Sequence, residues 1–185
     1  MKNQKIKSLF LDRDGVINVD HGYVGNVDAL EIYDDVYESL EIAKSLGFMI
    51  FVITNQSGVA RGYFNLDAVE QIHTEINRRL KAHNNTSIDH FFICPHHPGG
   101  HVEPFNKICS CRKPKAGLIQ QAVELYPDID LASCFVIGDK ASDIECGLNA
   151  GVRGIQITRG SYEKHANPWA NANTLLEAMR TIEKQ

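Results

Sequence analysis

Short apolar runs alternate with amphipathic stretches along this chain, and the alternation predicts an α/β protein. Residues 6–11 form a first strand-like run ending in Leu9-Phe10-Leu11. After a polar, glycine-containing segment (18–34), Val36, Leu40, Ala43 and Leu46 share one face of a helix over 35–46, and Gly47 stands where a helix C-cap belongs. Residues 48–53 are apolar without interruption, as in a strand covered on both faces. Leu66, Val69, Ile72, Ile76 and Leu80 make a stripe along a helix over 66–82. A third strand is expected at 91–93, followed by a Pro-, Gly-, His- and Cys-rich insertion (94–114) with no period. A helix over 115–126 turns Leu118, Ile119, Ala122 and Val123 inward. A strand (134–137), a helix (142–150), a strand (154–157) and a last helix (173–183, with Leu175, Met179 and Ile182) complete the pattern.

Strands of this kind alternating with helices predict a Rossmann-like parallel sheet with helices on both faces. Ligands of such sheets gather beyond the carboxyl ends of the strands. Polar groups stand in those places: Asp12 and Asp14 after the first strand, Thr54-Asn55 after the second, Asp139 after the fourth. There is no internal repeat or low-complexity tract, and the 185 residues suit a single domain, 1–185, with a core that needs no staples.

Composition narrows the picture only by exclusion. A net charge of −4 argues against a nucleic-acid surface and gives no sign of membrane affinity. Met1-Lys2-Asn3-Gln4-Lys5 lacks the apolar core of a secretory signal, and the run at 48–53 is too short to cross a bilayer, so a cytoplasmic protein is expected. Five cysteines, an odd number, in a reducing compartment do not make a disulfide framework.

The chemistry begins with Asp12-Arg13-Asp14-Gly15-Val16. Two carboxylates at i and i+2 can divide phosphate-ester hydrolysis between a nucleophile and a proton carrier, and they suit a hard cation such as Mg²⁺. Asp-Gly is also a common turn. Thr54-Asn55-Gln56-Ser57-Gly58 offers uncharged donors for phosphoryl oxygens, or a helix cap. Arg112-Lys113-Pro114 brings two cations and a proline suited to a helix start. In Gly138-Asp139-Lys140-Ala141-Ser142-Asp143 an acid follows a buried strand, a second acid comes four residues on, and Ser142 with Glu145 matches a capping box. Cys94, His96, Cys109 and Cys111 are three thiolates and an imidazole, a tetrahedral set for structural zinc, with His97 and His101 as rival ligands. Such a metal would order 94–111 and deliver Arg112 and Lys113 to the site.

These four segments, in this order, resemble the haloacid dehalogenase superfamily from the first strand to about residue 160. The resemblance implies that Asp12 attacks phosphorus, that Asp14 is the general acid and base, and that Thr54, Asn55, Arg112 and Lys113 stabilise the phosphoryl group. It also implies Mg²⁺ held by Asp12, Asp14 (through its carbonyl) and Asp139, with Asp143 orienting metal waters or Lys140. Cys-x-His with Cys-x-Cys-Arg-Lys-Pro narrows the likeness to the branch of the heptose-bisphosphate and histidinol-phosphate phosphatases. Val16 departs from the threonine found there in many relatives. That branch implies substrate contacts from Asp20, His21, Gly22, Tyr23, Asn55, Gln56, Ser57 and Lys140, with Arg61 a weaker candidate and Arg112 or Lys140 meeting a second phosphate. The short segment between the first motif and the next helix leaves no room for a large cap domain. The expected enzyme is an Mg²⁺-dependent, zinc-containing monomer acting on a small sugar bisphosphate, the 7-phosphate of a heptose 1,7-bisphosphate, in lipopolysaccharide biosynthesis. Histidinol phosphate is the alternative substrate. A phospho-accepting signalling domain and a catalytically dead zinc module fit less well, since the nucleophile stands on strand one and no catalytic group is missing.

Overall fold

The computed structural model describes residues 5–160, 162–165 and 167–185. Six strands, β1 (Ser8–Leu11), β2 (Met49–Asn55), β3 (His90–Cys94), β4 (Phe135–Gly138), β5 (Arg153–Ile157) and β6 (Ala170–Ala172), form one sheet in the order β3-β2-β1-β4-β5-β6. Every pairing is parallel. The helices are α1 (Asp35–Ser45), α2 (Leu66–Asn84), α3 (Gly117–Leu125), α4 (Ala141–Asn149) and α5 (Leu175–Glu183).

Successive side chains of a strand point to opposite faces, so an unbroken apolar strand feeds two cores. β1 does this: Leu9 and Leu11 join a cluster with Leu40, Ile72, Ile76, Leu175 and Met179 of α1, α2 and α5. Phe10 joins Phe51, Leu118, Ile119, Val136 and Cys146 on the face of α3 and α4. Phe51 is wholly buried, its ring centroid 5.6 Å from Phe10, 5.7 Å from Phe92 and 5.0 Å from Tyr126. Truncating it to alanine would cost about 3–5 kcal/mol. α2 is capped by Asn65, whose side chain accepts from Ala68 N–H, and α5 by Thr174, which accepts from Glu177 N–H.

The sequence reading differs from the structure in four places. β2 runs on through Thr54 and Asn55, which pair with Ile93 and Cys94 of β3. β6 is an unexpected edge strand, Ala-Asn-Ala, with no apolar run to announce it. α3 begins at Gly117 rather than at Pro114, because Lys115 N–H bonds Arg112 O and holds 112–115 in a turn. The start of α4 is capped by Asp143, which accepts from Lys140 N–H at 3.0 Å; Glu145, expected to pair with Ser142, meets His165 instead.

Candidate active site

The site is built at the carboxyl ends of three neighbouring strands. β1 lies between β2 and β4, with Leu11 level with both Val52 and Ile137, so Asp12, the Thr54-Asn55 pair and Asp139 emerge along one edge. The direction in which successive strands are added reverses there, β2 and β3 lying to one side of β1 and β4 to β6 to the other, which makes this the switch point of the sheet. Asp12 is tied to β4 by its own N–H on Ile137 O at 2.9 Å, and its Oδ1 accepts from Arg13 N–H at 2.8 Å.

Lys113 is the cation at the centre. It is 4% exposed, and its Nζ lies 2.9 Å from Asp12 Oδ1, 2.7 Å from Asp143 Oδ1 and 2.8 Å from Ile53 O. Its backbone is clamped by Asn55, which accepts from Lys113 N–H at 3.1 Å and donates to Lys113 O at 3.2 Å. Burial works against the ammonium, but Asp12 and Asp143 more than reverse it, so Lys113 is held protonated above the ordinary lysine range. Asp143, expected to orient metal waters or Lys140, accepts from the Lys140 N–H and in addition pairs with the Lys113 ammonium, which the sequence did not announce.

Asp12 is pushed up to about 6, by burial first, against the pull of Lys113 and with Asp143 and Asp14 adding like charge. Asp139 is pushed up to about 8, by burial and then by Asp12. Both Asp139 carboxyl oxygens are buried without a hydrogen-bond partner. A buried carboxylate left in that state is costly unless it is protonated or meets a cation. The oxygens of Asp12, Asp139 and Asp143 lie within 4.8 Å of one another, a donor set that fits a hard divalent ion such as Mg²⁺. Gly15 makes the approach possible: a Cβ there would stand 2.1 Å from Asp139 Oδ2, and its φ of +88° suits glycine.

Asp14 is held from three sides by Arg13, Asn18 and Gln56. Gln56 Nε2 also donates to Thr54 Oγ1 at 2.8 Å, so the buried Thr54 hydroxyl sits beside the group that holds Asp14. Asp14 and Lys113 line a cavity of about 490 Å³ whose walls include Tyr23, Ser57, Arg112, Lys140 and Tyr162. Asp20, Gly22, Asn55 and Gln56 line it too. His21 does not; its ring lies 3.3 Å from Glu31. Arg61 is also outside, its guanidinium 3.2 Å from His97 Nε2. Among the described residues the hydrogen bond of Arg112 goes to the His96 carbonyl, at 3.4 Å.

Tyr162 had no signal in the sequence, being one aromatic in a polar segment. Its hydroxyl donates to Asp20 Oδ2 at 2.6 Å, and Lys140 Nζ lies 3.0 Å from the same oxygen and 4.4 Å from the Tyr162 ring centroid. Burial tends to raise Asp20, but Tyr162, Lys140 and the Gly22 N–H outweigh it and hold the carboxyl below its usual range. A larger cleft of about 640 Å³, lined by Val59, Phe64, Leu66, Val102 and Phe105, is apolar and lacks this chemistry.

The four sulfur and nitrogen atoms expected for zinc converge. Cys94 Sγ lies 3.1 Å from Cys111 Sγ and 3.5 Å from Cys109 Sγ, and His96 Nδ1 lies 3.3 Å from Cys111 Sγ. All five cysteines are free thiols. His97 turns to Arg61 and the Gly99 N–H, and neither it nor His101 joins the cluster. Three thiols and an imidazole at these spacings fit tetrahedral Zn²⁺.

Residues 110–178 match a family model described as HAD-hydrolase-like. The chain is 37% identical over 187 residues to D-glycero-beta-D-manno-heptose-1,7-bisphosphate 7-phosphatase of Escherichia coli K12, covering 98% of this chain and 96% of that one. It belongs to the haloacid dehalogenase-like family. This HAD-like protein is thus a phosphoric monoester hydrolase, in the branch whose curated members carry the heptose-bisphosphate phosphatase name. Among solved structures it is similar to a HAD-like phosphatase of Mesorhizobium loti (TM-score 0.82, 28% identity, covering 96% of this chain and 88% of that one). It is also similar to D,D-heptose 1,7-bisphosphate phosphatase of B. bronchiseptica in complex with magnesium and phosphate (TM-score 0.80, 26% identity, 97% and 99% covered).

Proposed function

We propose that this HAD-like phosphatase hydrolyses the 7-phosphate of D-glycero-β-D-manno-heptose 1,7-bisphosphate, leaving heptose 1-phosphate for nucleotide-activated heptose and lipopolysaccharide-type glycans. The relatives' names supply the substrate and its anomer. One geometric observation carries the chemistry: a buried ammonium, Lys113, bridges Asp12 and Asp143 beside the two unpartnered oxygens of Asp139.

Asp12 attacks phosphorus, and the bond from phosphorus to the sugar oxygen breaks as that oxygen takes a proton from Asp14. Asp14 then removes a proton from water, which attacks the aspartyl-phosphate; the bond from phosphorus to Asp12 breaks and phosphate departs. Lys113 offsets the negative charge that nucleophile and phosphate share, and Arg112, with Thr54, Asn55 and Ser57 nearby, steadies the phosphoryl oxygens. Asp12, Asp139 and the Asp14 carbonyl would hold Mg²⁺, which would supply the remaining positive charge for an in-line displacement. Cys94, His96, Cys109 and Cys111 would hold structural Zn²⁺ and so fix the loop that ends in Arg112.

The cavity's charge favours a sugar bisphosphate over histidinol phosphate. A substrate amine needs a free carboxylate, yet Asp20 is already occupied by Lys140, Tyr162 and the Gly22 N–H. Asp28 and Glu103 do not line the cavity. Arg112, whose hydrogen bond among the described residues goes to a carbonyl, presents to the cavity a guanidinium that suits a phosphate and opposes an amine. Among the described residues no helix is long and apolar enough to cross a membrane.

The test is phosphate release from both heptose bisphosphate anomers and from histidinol phosphate, with Mg²⁺ and with EDTA. Fastest Mg²⁺-dependent release from the β anomer is expected. An equal or higher kcat/KM on histidinol phosphate would overturn the substrate.

A further inference from the structure

Arg13 is the largest fully buried polar residue of the chain, 0% exposed, and phosphate hydrolysis as drawn above makes no use of it. Its one carboxylate partner in the structure is Asp14. Arg13 Nη2 donates to Asp14 Oδ1 at 2.9 Å and to Oδ2 at 3.0 Å, and Nε donates to Oδ1 at 3.2 Å. The remaining Nη2 bond goes to Val24 O at 3.2 Å, which anchors the guanidinium to the loop behind β1. Two neutral amides finish the enclosure. Asn18 Nδ2 donates to Asp14 Oδ1 at 2.9 Å, and the same amide nitrogen is fixed by a second bond to Val19 O at 2.9 Å. Gln56 Nε2 reaches Oδ2 at 2.9 Å and is shared with Thr54 Oγ1.

Such a set is expensive to assemble. A guanidinium taken wholly out of water needs a carboxylate in good geometry, and separating the two leaves an uncompensated buried charge. Stability alone does not call for an ion pair at this place, where a well-packed apolar pair serves as well or better. What the fork adds is direction. Two parallel donors and two flanking amides leave the Asp14 carboxylate one plane and one rotamer, beside a cavity that it lines.

We propose that Arg13 is a positioning residue for proton transfer: with Asn18 and Gln56 it fixes the plane of the Asp14 carboxylate toward the leaving oxygen. Arg13 does not touch substrate. This also changes the part given to Gln56, whose side chain is 3% exposed and spends its amide on Asp14 and Thr54, so its contribution to the cavity is to couple the proton carrier to the phosphoryl-binding threonine. The proposal rests on Asp14 being the proton carrier, and the experiment separates the two claims.

A leaving group that departs readily as an anion needs no proton, whereas a sugar alkoxide does. The ratio of kcat/KM on a sugar phosphate to kcat/KM on 4-nitrophenyl phosphate, which ends at transfer to Asp12 and leaves out the hydrolysis step the two share, therefore reports proton transfer, and a variant that is merely destabilised leaves that ratio unchanged. The ratio is measured for the Mg²⁺-loaded full chain, for Asp14→Asn, and for Arg13→Met, Arg13→Lys and Asn18→Leu. Asp14→Asn is expected to lower it by on the order of 100-fold. Arg13→Met is expected to lower it by at least about 10-fold with KM for the sugar phosphate within about 3-fold, and Arg13→Lys, which restores charge but not the fork, to recover part of the loss. Asn18→Leu, which keeps the ion pair, is the reserve should Arg13→Met not fold, and its ratio is expected to fall by about 3-fold or more. If Asp14→Asn leaves the ratio unmoved, Asp14 is not the proton carrier and the functional reading fails at that point. If Asp14→Asn moves it while Arg13→Lys and Asn18→Leu lose turnover equally on both substrates, or lose none, the positioning role of Arg13 is refuted alone.

Discussion

The carboxylate cluster and the thiol cluster are both suited to a metal, yet the chain builds them in opposite ways. Asp12 and Asp139 follow directly on paired central strands, Lys113 is pinned to Ile53 O, and Asn55 grips its backbone. That geometry comes from the sheet and exists before any ion arrives. The thiol cluster takes Cys94 from the end of β3, but His96, Cys109 and Cys111 lie on a stretch with no helix or strand between β3 and α3. Beyond short turns, what ties it down is the Ala60 carbonyl, which accepts from His101 and Val102 N–H, Lys115 on Cys109 O, and the four converging donor atoms. One ion should therefore serve chemistry on a finished scaffold, while the other finishes the scaffold. Arg112 follows directly on Cys111, so on the proposed reading the second site would fix Arg112 at the mouth of the first, while Lys113 keeps its anchors on β2.

The comparison breaks hardest at Asp12. Asp12→Asn should cut turnover by at least about 1,000-fold, the scale seen when a nucleophile is removed. Its melting temperature should stay within a few degrees of wild type, because Lys113 keeps Asp143 and the sheet is untouched. Zinc content, read by atomic absorption, should not change. A variant that keeps turnover would remove Asp12 as nucleophile; one that loses zinc would show the two centres to be one unit.

Next in size is the thiol cluster. Cys109→Ser, or stripping zinc with a chelator that spares Mg²⁺, should lower the melting temperature by about 5 °C or more, since metal binding free energy here is folding free energy. Turnover should fall with it by about 10-fold or more as Arg112 loses its anchorage. Withdrawing Mg²⁺ from the same protein should abolish turnover while leaving near-UV circular dichroism in place. Equal loss of structure in the two experiments would erase the distinction.

How far these sites could be read in the chain follows the same division. Asp12, Asp139 and the Cys94-x-His96 and Cys109-x-Cys111 pairs were legible because each is adjacent to a buried strand or to its own partner, so short-range pattern carries the information. The parallel sheet and its helices were legible for a like reason, the apolar runs being long and periodic. What pattern could not carry is long-range pairing of polar groups. Asp143 meeting Lys113, Asp20 meeting both Lys140 and Tyr162, and Gln56 turning back on Asp14 are each decided by which loops the sheet brings together. β6 was missed because three small residues at a sheet edge owe their conformation to β5 rather than to their own preference.

A third, smaller effect sharpens the claim that the carboxylate scaffold stands without its ion. Asp139→Asn removes a buried carboxyl that has no hydrogen-bond partner among the described residues and must take up a proton to fold without a metal, so the Mg²⁺-free protein at pH 7.5 should melt about 2–4 °C higher than wild type. The same change should weaken Mg²⁺ affinity by at least about 10-fold, measured by the Mg²⁺ concentration that half-restores turnover. Stability gained and metal lost in one substitution is the signature of a site strained for function. A lower melting temperature would mean that Asp139 has a structural partner.

The smallest effect is in pH, and its sign follows from the same residue. Asp139 sits at about 8 in the folded, metal-free protein against an ordinary 3.8, and Asp12 at about 6, so between pH 4 and 8 the native state binds more protons than the unfolded chain. Stability from such groups is full below 3.8 and is lost as pH rises through the folded value. Buried His73 works the other way: burial first and Arg13 second hold it down at about 3, so its contribution is complete above 6.5 and is lost as pH falls toward 3. From pH 6.5 to 8 Asp12 has largely ionised, while His73, His97 and the Cys111 thiol, each held below its ordinary value, act in the opposite sense to Asp139, so the Asp139 contribution is isolated as the difference between wild type and Asp139→Asn. Zinc-loaded, Mg²⁺-free wild type should therefore lose melting temperature relative to Asp139→Asn steadily across that interval, and added Mg²⁺ should restore the wild type most at its upper end. A difference between the two proteins that does not grow with pH would place the titrating group elsewhere and break the assignment of the unpaired carboxylate as the waiting metal ligand.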